Sequence, residues 1–322
     1  MILDQIADNL SITIQCHDNP DADTIASGFA LYKYFMTRGK YRIKLIYSGH
    51  EQITKKNLQI MVEELNIPIE YVPTPYRVSG VLVNVDCQYG SGNVTRFPSD
   101  NIVIIDHHQP GRLPSGCLRD IRPEYGSCST IIWKLLSDAG FDVNAHPDLA
   151  TALFYGLYTD TGAFAEIYNP LDREMQDTLN ADYDLIKLMN NSNLSLRELE
   201  IAGLAMIRAI VNEKWHFAIL KADDCDSNIL GLISDICLQV DTIYSCIVYA
   251  EHPDYVKFSV RSCVKEVLAN ELAAYIAKGI GNGGGHTDKA GGLINLTKYK
   301  EAFPDLHFEA FFSERYQNFF SD

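Results

Sequence analysis

The sequence predicts an α/β protein: a mostly parallel sheet of five or six strands flanked by helices, followed by a smaller mixed-sheet α/β domain. Three observations predict it. Short β-branched or apolar runs at 11–15 (SITIQ), 43–47 (IKLIY), 81–86 (VLVNVD) and 102–106 (IVIID) alternate in part with helical patterns, the rhythm of βα units. A chain of 322 residues suggests two domains, and 47% hydrophobic with 21% charged residues leaves ample core. Strand-like WHFAIL, YSCIVYAE and YVKFSVRS then form a separate group in the C-terminal half.

In chain order, the first helix is expected over 22–38. Asp21 is its N-cap, Ile25, Phe29, Tyr32 and Met36 recur at helical spacing, and Gly39 ends it. Further helices are expected over 130–139 and 147–158, the latter with Leu149, Leu153, Gly156 and Leu157 as its apolar stripe. From Asn180 the pattern turns helical and polar, which suits a connection. The expected division is a first domain over 1–190, a helical linker over 191–204 and a second domain over 205–322. Phe303, Phe308, Phe311 and Phe312 in the C-terminal tail read as core packing or a subunit contact, and a homodimer is compatible with them.

Composition removes several classes of function. The 27 basic and 42 acidic residues leave a net charge of −15, shared by both halves, and this argues against a broad basic face for long DNA or RNA. The eight cysteines contain no C-x-x-C pair and no dense framework, so reduced thiols in a cytoplasmic protein are expected. The N-terminus lacks the pattern of a signal peptide and no run of 18 apolar residues occurs, so neither secretion nor a membrane partner is expected.

The residues with chemistry to offer cluster at strand ends. His17, Asp21 and Asp23 follow the first run in HDNPDAD, Asp86 ends the third, and Asp106, His107 and His108 end the fourth. Asp160 sits in YTDTG, where a tight loop after the third helix is expected. Open parallel sheets bind ligands outside the carboxyl ends of their strands, so these segments converge on one edge. Taken alone, Asp86 reads as a turn residue or cap and Asp21 as an N-cap. Together the segments supply carboxylates and imidazoles suited to Mn²⁺ or Mg²⁺, with imidazole favouring Mn²⁺. One ion cannot use them all, whereas two ions roughly 3.5 to 4 Å apart, sharing a bridging carboxylate, are a recurrent device for displacement at phosphorus. Cys16 and Cys87 neighbour these ligands and are expected as buried apolar groups.

HDNPDAD, the isolated Asp86, DHH at 106–108 and DTG at 160–162 resemble, in order, the four motifs of the DHH phosphoesterase superfamily. Gly283, Gly284, Gly285 and His286, followed by Ala290, Gly291 and Gly292, resemble the glycine-rich signature of the first type of DHH-associated domain, with Ser259, Val260, Arg261 and Ser262 as its upstream partner. The length is similar to the stand-alone branch that contains nanoRNases, pAp phosphatases and dinucleotide phosphodiesterases. The resemblance implies that His17 and Asp21 bind one metal and that Asp23, His107 and Asp160 bind the other. It further implies that Asp86 bridges them, that His108 faces the scissile phosphate, and that Asp106 orients the histidines. Ala22 stands where the family often has glycine, Ile131 where an acid is common after Ser127 to Thr130, and Asn282 interrupts the glycine run.

The implied function is a Mn²⁺-dependent phosphoesterase with two divalent ions, Mg²⁺ or Co²⁺ being alternatives, that attacks nanoRNA oligoribonucleotides or 3′-phosphoadenosine 5′-phosphate with a metal-activated hydroxide. Arg261, Ser262, the backbone of a loop at Gly283, Gly284 and Gly285, and His286 are expected to hold the substrate, clamped across a cleft between the domains. The partners expected are short oligoribonucleotides, mononucleotide bisphosphates or dinucleotides. The alternatives are a cyclic or linear dinucleotide phosphodiesterase, then a polyphosphate or pyrophosphate hydrolase, and from another class a non-catalytic nucleotide sensor.

Overall fold

The structure, a computed structural model, describes residues 2–39, 42–111, 113–223, 225 and 227–320. The chain divides into two compact units, Met1–Asn193 and Leu194–Asp322.

In the first unit, among the described residues, six strands form one parallel sheet: β1 (Ile12–Gln15), β2 (Ile43–Tyr47), β3 (Ile69–Tyr71), β4 (Val81–Val85), β5 (Asn101–Asp106) and β6 (Leu118–Ile121), in the order β3-β2-β1-β4-β5-β6. This order reverses between β1 and β4, so the switch point of a doubly wound sheet lies between the strands that lead to His17 and Asp86. β4 is buried along its whole length: Val81, Val83 and Val85 pack with the helices, and Leu82 on the other face packs with Ile46, Val78 and Phe97, which is why it reads as a continuous apolar run.

The helices of this unit are α1 (Ile2–Ala7), α2 (Ala22–Thr37), α3 (Lys56–Glu64), α4 (Cys128–Asp138), α5 (Pro147–Asp160), α6 (Pro170–Thr178) and α7 (Tyr183–Asn190). Asp21 caps α2 by accepting from the Thr24 N–H at 3.0 Å, and Gly39, with φ of +75°, ends it as expected. The Thr24 hydroxyl donates to Val85 O at 3.0 Å, which fastens the start of α2 to the end of β4. One boundary differs from the sequence expectation. Asp160 is the last residue of α5 rather than part of the following loop, because the helix runs on past Tyr158. After it, Gly162, Ala163 and Phe164 all take positive φ (56°, 57° and 68°), a left-handed turn pinned by the Phe164 ring against Phe154 and Tyr158.

The second unit comprises α8 (Leu196–Ile207), β7 (Ile210–Asn212), β8 (Phe217–Ala222), α9 (Ser227–Cys237), β9 (Ser245–Glu251), β10 (Tyr255–Ser262), α10 (Ala269–Ala277), β11 (Gly281–Gly285), β12 (Lys289–Asn295), α11 (Leu296–Ala302) and α12 (Phe308–Asn318). Its sheet runs β11-β12-β10-β9-β8-β7 and is mixed, with β8 and β9 parallel. Alternation divides its faces. Cys246, Val248 and Ala250 of β9 pack with Ile201, Ala202 and Ala205 of α8 and with α9, while Ile247 and Tyr249 pack with α10 and α12. α8, which overlaps the expected linker over 191–204 and runs on to Ile207, therefore contributes its buried face to this second core. Phe308, Phe311 and Phe312 are buried here as core residues.

The glycine run is a strand and not the expected loop. Gly281–Gly285 pairs antiparallel with β12 at the edge of the sheet. Its glycines answer to close packing: a Cβ on Gly283 would lie 2.2 Å from Ala273 O of α10, whereas one on Gly284 would meet nothing within 4 Å. Gly283→Ala is expected to destabilise the protein by about 1 to 3 kcal/mol through overpacking. Gly284→Ala is expected to stay within about 0.5 kcal/mol of wild type, as surface changes do. Denaturant midpoints for the two variants check this contrast, and equal midpoints would contradict it. Among the described residues, no helix is long and apolar enough to cross a membrane.

Candidate metal centre

Each strand-end residue reaches the same edge by a short, well-tied path. His17 follows β1 and is nearly buried, with Nε2 at 3.5 Å from Asp21 Oδ2 and 3.7 Å from Asp86 Oδ2. Asp23, in the first turn of α2, is fully buried, and its two oxygens accept from the N–H groups of Cys128 (2.7 Å) and Ser129 (2.8 Å). Those donors are free because they open α4, whose N-cap Ser127 accepts from the Thr130 N–H at 3.1 Å. This accounts for Ser127 to Thr130: the segment holds the Asp23 carboxylate, a candidate ligand, by its backbone.

Asp86 lies between the two groups of ligands. It is 2% exposed, with φ of +57°, and its N–H donates to Ile105 O at 2.9 Å. Asp86 Oδ1 faces His107 Nε2 at 3.3 Å, while its Oδ2 faces His17. His107 Nε2 is also 3.1 Å from Asp160 Oδ2. The Tyr125 carbonyl, 3.2 Å from His107 Nδ1, accepts its N–H, so Nε2 is the nitrogen turned towards the two carboxylates.

His108 lies beside these groups, its Nδ1 3.7 Å from Asp86 Oδ1, but is bound to a different carboxylate. Its side chain is 52% exposed, and its Nδ1 is held at 2.8 Å by Asp106 Oδ1. The other oxygen of Asp106 accepts from Gln88 Nε2 at 2.7 Å, and Gln88 Oε1 in turn accepts from the Gly111 N–H at 2.7 Å. Asp106 thus orients His108, whereas His107 is oriented by a carbonyl. Neither Gln88 nor the Tyr125 carbonyl carries a residue-type signal in the sequence.

The electrostatics call for cations. Burial, together with Asp86 and Asp160, pushes the Asp23 carboxyl well above the ordinary aspartate range. Burial also pushes Asp86 up to about 6, with Asp21 and Asp160 adding to the rise against the pull of His107. Burial opposes the charged form of His17, but attraction to Asp21 prevails and raises it to about 9. His107 is raised well above its usual value by Asp160 and Asp86, again against burial. For Asp106 burial acts upward, and hydrogen bonds from His108 and Gln88 bring it below the usual range.

Two buried atoms, Asp86 Oδ1 and His107 Nε2, have no hydrogen-bond partner. Carboxylates and imidazoles crowded this closely fit divalent cations, which would stand in for the imidazole protons. Three triads present donor atoms within 4.8 Å of one another: His17 with Asp21 and Asp86, Asp23 with His107 and Asp160, and Asp86 with His107 and His108. The first two triads use all six expected ligands, and Asp86 reaches into both neighbourhoods.

The second unit brings together only part of the expected substrate contacts. A cavity of about 460 Å³ is lined by Arg261, Ser259, Lys257, Asn282, Gly284 and Gly291 among others. Arg261 Nε is tied to Asp235 at 2.6 Å and its Nη1 donates to Ser259 Oγ at 3.2 Å. Ser262 is buried and bonds Val264 within a turn, and His286 is exposed with its N–H donating to Lys289 O. Neither lines this cavity. Gly283 and Gly285 also lie outside it. Because Asn295 N–H donates to Ile280 O and His286 N–H to Lys289 O, the antiparallel alternation turns the N–H groups of Gly283 and Gly285 to the open edge of the sheet.

Comparison with known proteins places this geometry in a family. Residues 11–157 match the DHH family, N-terminal domain. The chain is 28% identical over 311 residues to an uncharacterized protein of Methanocaldococcus jannaschii, covering 93% of this chain and 62% of that protein, so it spans under two thirds of that relative's length. It is 26% identical over 306 residues to the bifunctional oligoribonuclease and PAP phosphatase NrnA of Thermus thermophilus, covering 91% of this chain and 86% of that protein. Its fold is similar to that of an exopolyphosphatase-related protein from Bacteroides fragilis, with a TM-score of 0.72 at 19% identity over 99% of this chain and 95% of that one. With HDNPDAD, Asp86 and DHH standing in order on the strand ends of the parallel sheet, residues 11–157 carry a DHH-family N-terminal domain.

Proposed function

We propose that the protein is a divalent-cation-dependent phosphoesterase, with Mn²⁺ as its preferred ion, acting on short nucleotides such as nanoRNA and 3′-phosphoadenosine 5′-phosphate. The observation that carries this reading is the single buried carboxylate of Asp86, whose two oxygens face different histidines. When bound, a pair of cations neutralises phosphate charge and activates water for attack at phosphorus. His17, Asp21 and Asp86 would hold one ion, and Asp23, His107 and Asp160 the other. His108, half exposed with its Nδ1–H held by Asp106, which also raises its pKa, can in its imidazolium form donate the Nε2 proton to the leaving alkoxide or a hydrogen bond to a phosphate oxygen.

The second unit supports the choice of substrate. Lys257, Ser259 and Arg261 alternate onto the α9 face of β10, beside a floor made of Gly284 and Gly291. Along a strand, Lys257 and Arg261 are separated by about 13 Å, room for a base lying flat between two cationic ends. The net charge of −15 argues for local rather than general attraction, and so for short substrates. The T. thermophilus relative, by its name, acts on oligoribonucleotides and PAP. Buried free Cys16, Cys87 and Cys128 fit a cytoplasmic setting.

Initial rates in Mn²⁺ on PAP, a 5′-phosphorylated diribonucleotide, long RNA, cyclic di-AMP and pyrophosphate test the proposal. PAP and the diribonucleotide are expected to lead. Turnover of pyrophosphate alone would overturn the nucleotide assignment, and binding of PAP without turnover would make the protein a sensor.

A further inference from the structure

Three ligands of one triad, Asp23, His107 and Asp160, share a neighbour that none of them contains: the segment from Tyr125 to Ser129. The Tyr125 carbonyl fixes the His107 ring. The Cys128 and Ser129 N–H groups fix the Asp23 carboxylate. Gly126 packs against Thr161, the residue after Asp160, so closely that a Cβ on it would lie 2.7 Å from Thr161 Cγ2.

What holds this segment is α6. Asn169 Nδ2 donates to Glu124 O at 3.2 Å, and Asp172 Oδ2 accepts from the Gly126 N–H at 2.8 Å. Asp172 sits in the first turn of α6, where an acid ordinarily faces solvent and favours the helix dipole. Here it is fully buried, and its second oxygen, Oδ1, has no hydrogen-bond partner. Burying a carboxyl for helix propensity alone is unfavourable, since the same favourable effect is available at the surface without desolvation. A Cβ on Gly126 would also lie 3.0 Å from Asp172 Oδ2, so segment and carboxyl are fitted to each other.

We propose that Asp172 is a positioning residue for the Asp23, His107 and Asp160 cation site, acting through the backbone of residues 125–129, and that it does not serve the His17, Asp21 and Asp86 site. The inference rests on the two-cation reading above. Without the Gly126 anchor, the carbonyl behind His107 and the two N–H groups behind Asp23 shift together, while the tie of α2 to β4 through Thr24 and Val85 is untouched.

The test is Mn²⁺ binding by calorimetry on wild type, Asp172→Ala and Asp172→Asn, with circular dichroism to confirm the fold. Wild type should bind two ions. Asp172→Ala should weaken one step by about 10- to 100-fold, the usual cost of losing a partner behind a ligand, and leave the other within twofold. On a His17→Ala background, the remaining step should be the one that Asp172→Ala weakens. Asp172→Asn keeps an oxygen for the Gly126 N–H and should bind both ions as wild type does. Should Asp172→Ala not fold, Gly126→Ala supplies the same displacement and should show the same selective loss. Equal weakening of both steps, no weakening, or loss in Asp172→Asn equal to that in Asp172→Ala would overturn the assignment. Wild type that binds no Mn²⁺ would instead overturn the two-cation reading itself.

Discussion

Asp86→Asn is expected to lower kcat for a phosphoester by on the order of 10³-fold or more, beyond the 10- to 100-fold typical of residues that only support a ligand. The carboxylate turns Oδ2 towards His17 and Oδ1 towards His107, so on the proposed two-cation reading it would serve both ions at once. An amide keeps one oxygen, and its NH₂ cannot ligate, so one of the two ions loses a donor whichever way the amide turns. Asn is also the fair replacement. At φ of +57° the backbone is left-handed, a conformation that Asn adopts readily and Ala does not, so Asp86→Ala would mix ligand loss with strain. The measurement is kcat with Mn²⁺ in excess, and a variant within tenfold of wild type would refute a shared ligand.

Chelating the divalent ions is expected to lower the unfolding midpoint by on the order of 10 °C, since each site filled to about 100 times its Kd contributes about 2.7 kcal/mol. Chelation should also reverse the pH dependence. In the metal-free protein His17 titrates near 9 against an ordinary value near 6.5, so the stability it contributes is full below about 6.5 and is lost as pH rises through 9. His107 and His108 are raised as well and act in the same sense. Asp86, raised to about 6, acts in that sense over the more acid window from 3.8 upward. Asp21 is held below its ordinary value by its attraction to His17, against burial, so its opposite effect falls below pH 3.8. From about pH 6 to 8.5 the metal-free midpoint should therefore fall. With Mn²⁺ present it should rise over the same range, because protons compete with cations for the imidazoles. Scanning calorimetry with and without chelator checks both slopes, and parallel slopes would refute the account.

The candidate ligands were legible as one cluster because chemistry and topology coincided. Residues 17, 21, 23, 86, 107 and 160 are types that bind cations, and five of them sit where a strand runs out into the edge that open sheets use. What the sequence hid works through backbone or through packing. The Tyr125 carbonyl and the Cys128 and Ser129 N–H groups are present in any residue, so no letter announces them. Asp172 looks like an ordinary first-turn acid, and only its burial distinguishes it. The glycines at 281–285 suggested a loop because glycine weakens strands, whereas here the closeness of α10 demands them. Ser262 and His286 have the right chemistry for a phosphate, but alternation along β10 and the end of β11 place them away from the cavity that Arg261 lines.

The left-handed turn after Asp160 bears on the timing of metal uptake. Ala163 and Phe164 each hold a conformation that costs about 1 kcal/mol or more outside glycine, and such turns persist only where the surroundings dictate them. Here the dictating contact is the Phe164 ring wedged edge-on against Phe154 and Tyr158. Asp160 is thus delivered by a braced corner instead of a loop that must first find its shape. Loading of its cation should follow a single bimolecular phase, with a rate proportional to ion concentration and no plateau set by an ordering step.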